Sequence, residues 1–277
     1  MRTEDGGTAA HGKSFQALVR RACTALSHRP RGLVADVDGT LSPIVERPEQ
    51  ATVPPAVLRA LARPVRSMDL VALLSGRSVA QLQSMVPIDG LVLVGNHGLE
   101  WRLGDGALVL PEAEAHIPNM AAARDWLMNE LQSAGLLVED KGPTLAIHYR
   151  LSPQPEAARR AILSALGRCP FAKTLKITEG RKVVNVLPPV RADKGTAVER
   201  LVRLHGLRSV VYLGDDTTDL DAFRSLRALE ESEELRAVVV AVVSPEAPVE
   251  LLHEADFTLN GVGDVARFLD RMGSLGS

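Results

Sequence analysis

The sequence predicts an α/β protein: a doubly wound, mostly parallel sheet interrupted by an inserted α+β unit of order αββαββ. Three observations predict it. Up to about residue 110 and again after residue 190, continuous apolar runs alternate with helix-like segments, the pattern of strands covered on both faces. Between these stretches the short strands alternate polar and apolar residues, as in a sheet with one open face. Three of the continuous runs end in acidic or hydroxyl clusters, and open parallel sheets bind ligands at those strand ends.

In chain order, residues 1–14 are polar, lack the apolar segment of a secretory signal, and are expected to form a flexible tail. FQALVRRACTALSH (15–28) spaces its apolar residues as an amphipathic helix does. GLVADVD (32–38) is a buried strand. PPAVLRALARPV (54–65) is a helix with prolines at its start, where a missing N–H costs nothing. DLVALLSGR (69–77) is a strand and turn, SVAQLQSMV (78–86) a helix, and GLVLVGNHG (90–98) a strand ending in a polar turn. LEWRLGDGALVL (99–110) places Gly-Asp-Gly between two extended runs, a hairpin pattern.

The rhythm then changes. IPNMAAARDWLMNELQSAG (117–135) is a helix stopped by Gly135, and LLVEDKGPTLAIHYR (136–150) a strand pair. PEAARRAILSALGRC (155–169) is a second helix, and TLKITEGRKVVNVLPP (174–189) a second strand pair turning at Glu-Gly. This is a weak internal duplication. The first rhythm returns with GTAVERLVRLHG (195–206), SVVYLGDD (209–216), TDLDAFRSLRAL (218–229) and LRAVVVAVV (235–243). PVELLHEA, DFTLNG and VGDVARFLDRM close the chain. The expected organisation is a core of residues 15–110 and 190–277 split by an insert of residues 111–189.

Bulk properties agree. A chain of 277 residues suits one core domain plus a smaller insert. Hydrophobic residues make up 45% and aromatics only 3%, so Leu, Val and Ala must fill the core. A net charge of -2 gives no basic excess for nucleic acid or an anionic membrane surface. No apolar run is long enough to span a bilayer. Cys23 and Cys169 are expected as free thiols in a reducing cytoplasm, and the chain as a monomer or weak homo-oligomer.

The chemistry lies in DVDGT (36–40), SGR (75–77), Lys194 and GDDTTD (214–219). Asp36 and Asp38 are two apart at a strand end, so they point to one side. With Asp215 they offer hard oxygen ligands of the kind Mg²⁺ takes. Three carboxylates in one crevice repel one another unless a cation joins them. SGR offers a hydroxyl, a backbone N–H and a cation to a phosphate oxygen. Each fragment alone is also ordinary turn chemistry. The combination and its order carry the reading.

These four motifs resemble those of the haloacid dehalogenase superfamily of phosphohydrolases. With GNHGLEW (95–101), HYR (148–150), EGRKVV (179–184) and GDDTTDLDAF (214–223), the chain resembles the trehalose-6-phosphate phosphatase family within it, from about residue 33 onward. The resemblance implies a Rossmann-like core under an α+β cap. It also implies Mg²⁺-dependent hydrolysis of trehalose 6-phosphate through an aspartyl-phosphate, the last step of trehalose biosynthesis. Asp36 would be the nucleophile, and Asp38 the acid and then the base. Asp36, the backbone carbonyl of Asp38, and Asp215 would hold the metal, with Asp216 and Asp219 as further ligands or as anchors through water. Ser75 and Lys194 would grip the phosphoryl group, with Gly39, Thr40, Gly76 and Arg77 shaping the phosphate pocket. Lys141, His148, Arg150, Glu179, Lys182 and Asn185 on the cap strands, with His97 and Glu100 beside the third core strand, are the expected sugar contacts.

Two departures stand out. Asn185 and Leu187 occupy positions where the family commonly has glutamate and arginine, and Leu220 stands where an acidic residue often follows Thr-Asp. The first keeps phosphate chemistry intact and bears on the choice of sugar. The alternative readings are a phosphatase for glucosyl- or mannosyl-phosphoglycerate or sucrose phosphate, a phosphosugar mutase, and a non-catalytic sugar-phosphate sensor.

Overall fold

The computed structural model describes residues 14–274 apart from residues 46, 105, 133, 134, 181, 233, 245 and 246. The expected flexible tail therefore lies outside the described residues except for Ser14. That residue caps helix α1 (Phe15–Ala25) by accepting the Ala17 N–H. Next come β1 (Arg31–Ala35), α2 (Pro55–Ser67), β2 (Leu70–Leu74), α3 (Val79–Met85) and β3 (Val92–Gly95). The hairpin β4 (Glu100–Leu103) and β5 (Gly106–Val109) pairs antiparallel beyond β3.

A short α4 (Pro111–Glu114) leads into α5 (Ile117–Glu130), β6 (Leu137–Asp140), β7 (Leu145–His148), α6 (Pro155–Arg168), β8 (Lys176–Gly180) and β9 (Val183–Leu187). The chain then resumes its first rhythm. It forms α7 (Lys194–His205), β10 (Ser209–Gly214), α8 (Thr217–Glu231), β11 (Arg236–Val243), α9 (Val249–Glu254), β12 (Phe257–Asn260) and α10 (Gly261–Met272).

Eight strands form one sheet in the order β12-β11-β10-β1-β2-β3-β4-β5, parallel from β12 through β3. β1 lies between β10 and β2, so the order reverses there, and a crevice opens at the carboxyl ends of β1 and β10. Alternate residues of these strands enter opposite cores. Leu33 and Ala35 pack with Leu18, Leu61 and Phe268, whereas Val34 packs with Val198, Leu201 and Phe223. Burial on both faces is why the strands read as continuous apolar runs. Each large side chain so buried contributes about 1.5–3 kcal/mol.

The other four strands form an antiparallel sheet in the order β6-β7-β9-β8. Its helices cover one face: Met120, Leu127, Ile162 and Leu166 pack on Leu145, Ile147, Val184 and Val186. By the alternation of strands, His148 and Asn185 lie on the other face, which turns toward the crevice. Cys23 and Cys169 are both free thiols. Among the described residues, no helix is long and apolar enough to cross a membrane.

Two local expectations are corrected. Helix α5 ends at Glu130, not at Gly135, because Leu131 leaves the helical region (φ -104°, ψ 66°) and turns back with Leu136 onto the small core. The β8–β9 hairpin does not turn at Glu-Gly. Glu179 and Gly180 pair with Val184 and Val183, and Lys182 supplies the left-handed turn residue (φ 58°).

Candidate active site

The floor of the crevice is built where β1 and β10 end. The Asp36 N–H still donates to the Leu213 carbonyl (2.9 Å), which continues the sheet pairing by one residue. The Val37 side chain is sunk in the core, so Asp36 and Asp38 face the other way, into the crevice. Leu41 and Ser42 then donate back to the Val37 carbonyl, closing a tight loop. Gly39 sits in that loop at φ +95°, and a Cβ there would fall 2.0 Å from Oδ2 of Asp215. Only glycine lets the loop lie against that carboxylate.

Asp219 organises the β10 side. Its Oδ2 accepts the N–H groups of Asp215 (3.1 Å) and Asp216 (3.0 Å), and its Oδ1 accepts the Tyr212 hydroxyl (2.8 Å) and Lys194 Nζ (2.7 Å). Lys194 also donates to Oδ1 of Asp36 (2.7 Å), and Thr40 Oγ1 donates to Oδ1 of Asp215 (3.3 Å). Asp216 caps α8, accepting the Thr217 N–H, and lines the crevice.

Asp36, Asp215, Asp219 and Lys194 are all buried. Burial raises the Asp36 carboxyl well above its ordinary range; Lys194 opposes this, while Asp219 and Asp215 add to it. Burial works against the Lys194 ammonium, but Asp219 and Asp36 outweigh it and hold its pKa above the usual lysine value. The Tyr212 hydroxyl is likewise held protonated by burial and by Asp219.

Asp36, Asp215 and Asp219 each offer a carboxylate oxygen, all within 4.8 Å of one another, the one such metal-capable group among the described residues. Three buried carboxylates facing one ammonium fit a divalent cation, which would offset their repulsion. Both oxygens of Asp219 already accept protein donors, so Asp36 and Asp215 are the carboxylates best disposed to hold it.

The loop after β2 forms the next wall. Ser75 Oγ accepts the Arg77 N–H (3.2 Å). The Arg77 guanidinium grips both oxygens of Asp38, Nε to Oδ2 and Nη2 to Oδ1, each at 2.7 Å. Burial disfavours the Arg77 charge, yet the bonds to Asp38 raise its pKa overall. Ser78 and Gln81 close a capping box that starts α3 immediately after the loop.

The small sheet supplies the opposite wall and is tied to the core directly. Lys141 Nζ donates to the Gly76 carbonyl (3.0 Å). Glu139 accepts from Gln81 Nε2 (2.7 Å), bonds His148 Nε2 (2.9 Å), and lies 3.6 Å from Lys141 Nζ. Burial opposes the Glu139 charge, but His148, Lys141 and Gln81 prevail and bring its pKa down to about 2. Burial lowers the Lys141 ammonium, with Glu139 opposing. Asn96 is fully buried, donating to Glu100 Oε2 (2.8 Å) and the Lys141 carbonyl (3.2 Å) and accepting from Thr144 Oγ1 (2.7 Å). The pKa of His97 is pushed down to about 3, by burial first and then by the nearby Lys141 and Lys194 charges.

Asp36, Asp38, Ser75, Gly76, Arg77, His97, Lys141, His148, Arg150, Glu179, Asn185, Lys194 and Asp216 thus line one cavity, with Asp215 and Asp219 beneath its floor. Glu179 also pairs with Arg159 (Nη2 to Oε1, 2.7 Å), which lowers its pKa. Gly39 and Thr40 lie behind the wall, against Asp215. Two expected sugar contacts are not brought to the cavity wall. Glu100 is spent on the Val79 N–H (2.8 Å) and Asn96, and Lys182 is an exposed turn residue.

Sequence reasoning missed Glu139, Gln81, Asn96 and Tyr212. Glu139 was findable: it stands two residues before Lys141, the same spacing as His148 and Arg150. Tyr212 carried a weaker signal, a lone hydroxyl in a buried apolar strand, which needs a partner. Leu187 and Leu220 pack in the core beside Phe223, so those two departures leave the cavity wall untouched.

The trehalose-phosphatase family model matches residues 34–254. A trehalose-phosphate phosphatase of Mycobacterium avium is 35% identical over 235 residues, 82% of this chain and 59% of that one. An uncharacterized glycosyl hydrolase of Mycobacterium tuberculosis is 38% identical over 211 residues, 73% of this chain but 16% of that protein. The chain therefore spans less than two thirds of the length of these relatives. The C-terminal domain of a C. albicans trehalose-6-phosphate phosphatase shares the fold, with a TM-score of 0.77 at 21% identity over 97% of this chain and 99% of that one.

Proposed function

The chain belongs to the trehalose-phosphatase family, and from that premise we propose that it hydrolyses trehalose 6-phosphate to trehalose and inorganic phosphate. The observation that carries the reading is the buried Asp36–Lys194–Asp219 network beside Asp215, set at the switch point of a parallel sheet with Asp38 next to it. In this reading residues 111–189 act as a cap over a core of residues 15–110 and 190–277.

Asp36 attacks phosphorus, the bond from phosphorus to the sugar oxygen breaks, and an aspartyl-phosphate forms. Once the phosphate draws Arg77 away, Asp38 takes up a proton from solvent and gives it to the leaving sugar oxygen. It then takes a proton from the water that attacks phosphorus, and Asp36 is restored as phosphate leaves. Asp36, the Asp38 carbonyl and Asp215 would hold Mg²⁺, which supplies charge to offset the phosphoryl oxygens. Lys194 and Ser75 hold the phosphoryl group in line, where positioning provides most of the acceleration. Arg77 is shared: the incoming phosphate competes with Asp38 for its guanidinium. On the opposite wall Lys141, His148, Arg150 and Asn185 present donors and acceptors to sugar hydroxyls.

One observation favours a second reading. Asn185 lines the cavity where the family commonly has glutamate, so another sugar phosphate would meet a neutral group there. Phosphate release measured across trehalose 6-phosphate, sucrose phosphate, glucosyl-phosphoglycerate and mannosyl-phosphoglycerate decides between them. Trehalose 6-phosphate is expected to turn over fastest. A better substrate in that panel would overturn the sugar assignment, and isomerised sugar phosphate without phosphate release would indicate a mutase. Asn185→Glu sharpens the result, because a sharp gain on trehalose 6-phosphate would mean the site has drifted from that sugar. A chelator should abolish activity, and Mg²⁺ should restore it.

A further inference from the structure

We propose that Ile44, Val45 and Val183 form an apolar platform that takes the C–H face of the leaving sugar, and that Ile44 is a specificity residue of the site. The identity of the occupant rests on the phosphatase reading, the platform on geometry alone.

All three side chains line the cavity. Ile44 is 38% exposed, and Val45 and Val183 are half-buried. Among the described residues, none of the three packs into either core of the large sheet or into the small core. Around them stand charged and hydrogen-bonding groups, among them Asp38, Lys141, His148, Arg150 and Asn185. No aromatic ring lines the cavity among the described residues, so branched aliphatic side chains supply its apolar surface.

The loop after β1 holds the first two. The Gly39 N–H donates to the Ser42 carbonyl (2.7 Å) and Ser42 Oγ to the Thr52 carbonyl (3.0 Å). The segment that carries Ile44 and Val45 is therefore pinned beside Asp38 where it leaves and where it returns. Pro43, with its fixed φ, stiffens the step from Ser42 to Ile44. Val183 comes from the small sheet. It stands two residues before Asn185 on β9, so both are on the open face. Its partner across the ladder is Gly180, which has no side chain to cover it; a Cβ there would lie 3.0 Å from Cγ1 of Val183. A pyranose carries hydroxyls at its rim and C–H groups on its faces. The polar wall can satisfy the rim. Packing a face on aliphatic carbon takes apolar surface out of water and strands no hydroxyl. Asp38 serves the oxygen that joins phosphorus to sugar, so a sugar held at that oxygen lies next to the loop that carries Ile44.

The test uses Ile44→Asn, which keeps the bulk of the side chain and replaces carbon surface with an amide, and Ile44→Leu as the conservative variant. On trehalose 6-phosphate, Ile44→Asn should raise KM about tenfold with a smaller change in kcat, the loss of one aliphatic contact, and Ile44→Leu should stay within about twofold of wild type. Inorganic phosphate fills the phosphoryl position and carries no sugar, so its inhibition constant should be the same in all three proteins. Val183→Thr, which swaps a methyl for a hydroxyl at constant shape, should raise KM in the same direction by less. An unchanged KM in Ile44→Asn, a loss confined to kcat, or a phosphate inhibition constant that rises together with KM would overturn the platform. Calorimetry on the Asp36→Asn background reads affinity for trehalose 6-phosphate without turnover. Wild-type protein inactive on trehalose 6-phosphate, together with Ile44→Asn weakening its binding on that background but not the binding of inorganic phosphate, would overturn the phosphatase reading and leave the platform standing.

Discussion

On the floor of the crevice, the side chains of Lys194, Asp36 and Asp219 are 5%, 6% and 0% exposed and bonded to one another. On the opposite wall, those of His148, Glu139 and Glu179 are 18%, 22% and 38% exposed, and their partners lie in α3, in the same sheet or in α6. Charge is therefore used in two ways in one cavity. On the floor the side chains are almost wholly shielded from solvent, so each removal strands a buried ion. On the wall water screens each pair, and the individual energies are small. A floor built that way suits one fixed reaction, and a wall built that way tolerates change in what it recognises. The one departure from the family pattern that reaches the cavity, Asn185, is on the wall.

Asp36→Asn tests the contrast most severely. Phosphate release should fall by about a thousandfold or more while the far-UV circular dichroism stays native. Near-normal turnover would place the chemistry elsewhere. Lys194→Met leaves Asp36 and Asp219 buried without their shared cation, and urea unfolding should register a loss of about 3–5 kcal/mol. A loss below about 1 kcal/mol would make the floor no different from the wall.

The wall has a pH signature of its own. The Glu139 pKa falls from 4.5 to about 2 on folding. Its stabilisation is complete above the unfolded value and is lost as pH drops through the folded one. Discounted for its partial exposure, the contribution is about 1–2 kcal/mol. Wild type should therefore lose more stability between pH 4.5 and 2 than Glu139→Gln does, as read from urea midpoints; parallel curves would remove Glu139 from the account. In turnover, Glu139→Gln should raise KM about tenfold with a smaller change in kcat, because Glu139 holds Lys141 and His148 rather than the reacting atoms. Smallest of all, Arg159→Ala removes an exposed partner of Glu179, and thermal unfolding should shift by less than about 1 kcal/mol. A larger loss would show that the wall, too, depends on buried charge.

Much of this was legible in the chain. Apolar runs buried on both faces, such as LVA in β1, announce parallel strands, and the acidic residues that end them announce a ligand. The insert's alternating strands announced a one-sided sheet, although its turn and a helix end were displaced by two to five residues. Those misses arose where packing of Leu131 and pairing of Glu179 outweighed local turn chemistry.

The sequence by itself determined the parallel core, the interrupting α+β unit, and the residue types at each strand end. All are local: strand period, turn chemistry, and charge at the end of an apolar run. Only the tertiary structure decided who meets whom. Lys194 reaches Asp36 across 158 residues, Lys141 reaches the Gly76 carbonyl across 65, and Arg77 closes on Asp38 across 39. The same holds for Asn185, which sequence marked as a sugar contact and which the fold brings into one cavity with His97. The first and third of these pairings depend on the strand order within the core sheet and the others on how the two sheets face each other, and no window of sequence contains both partners.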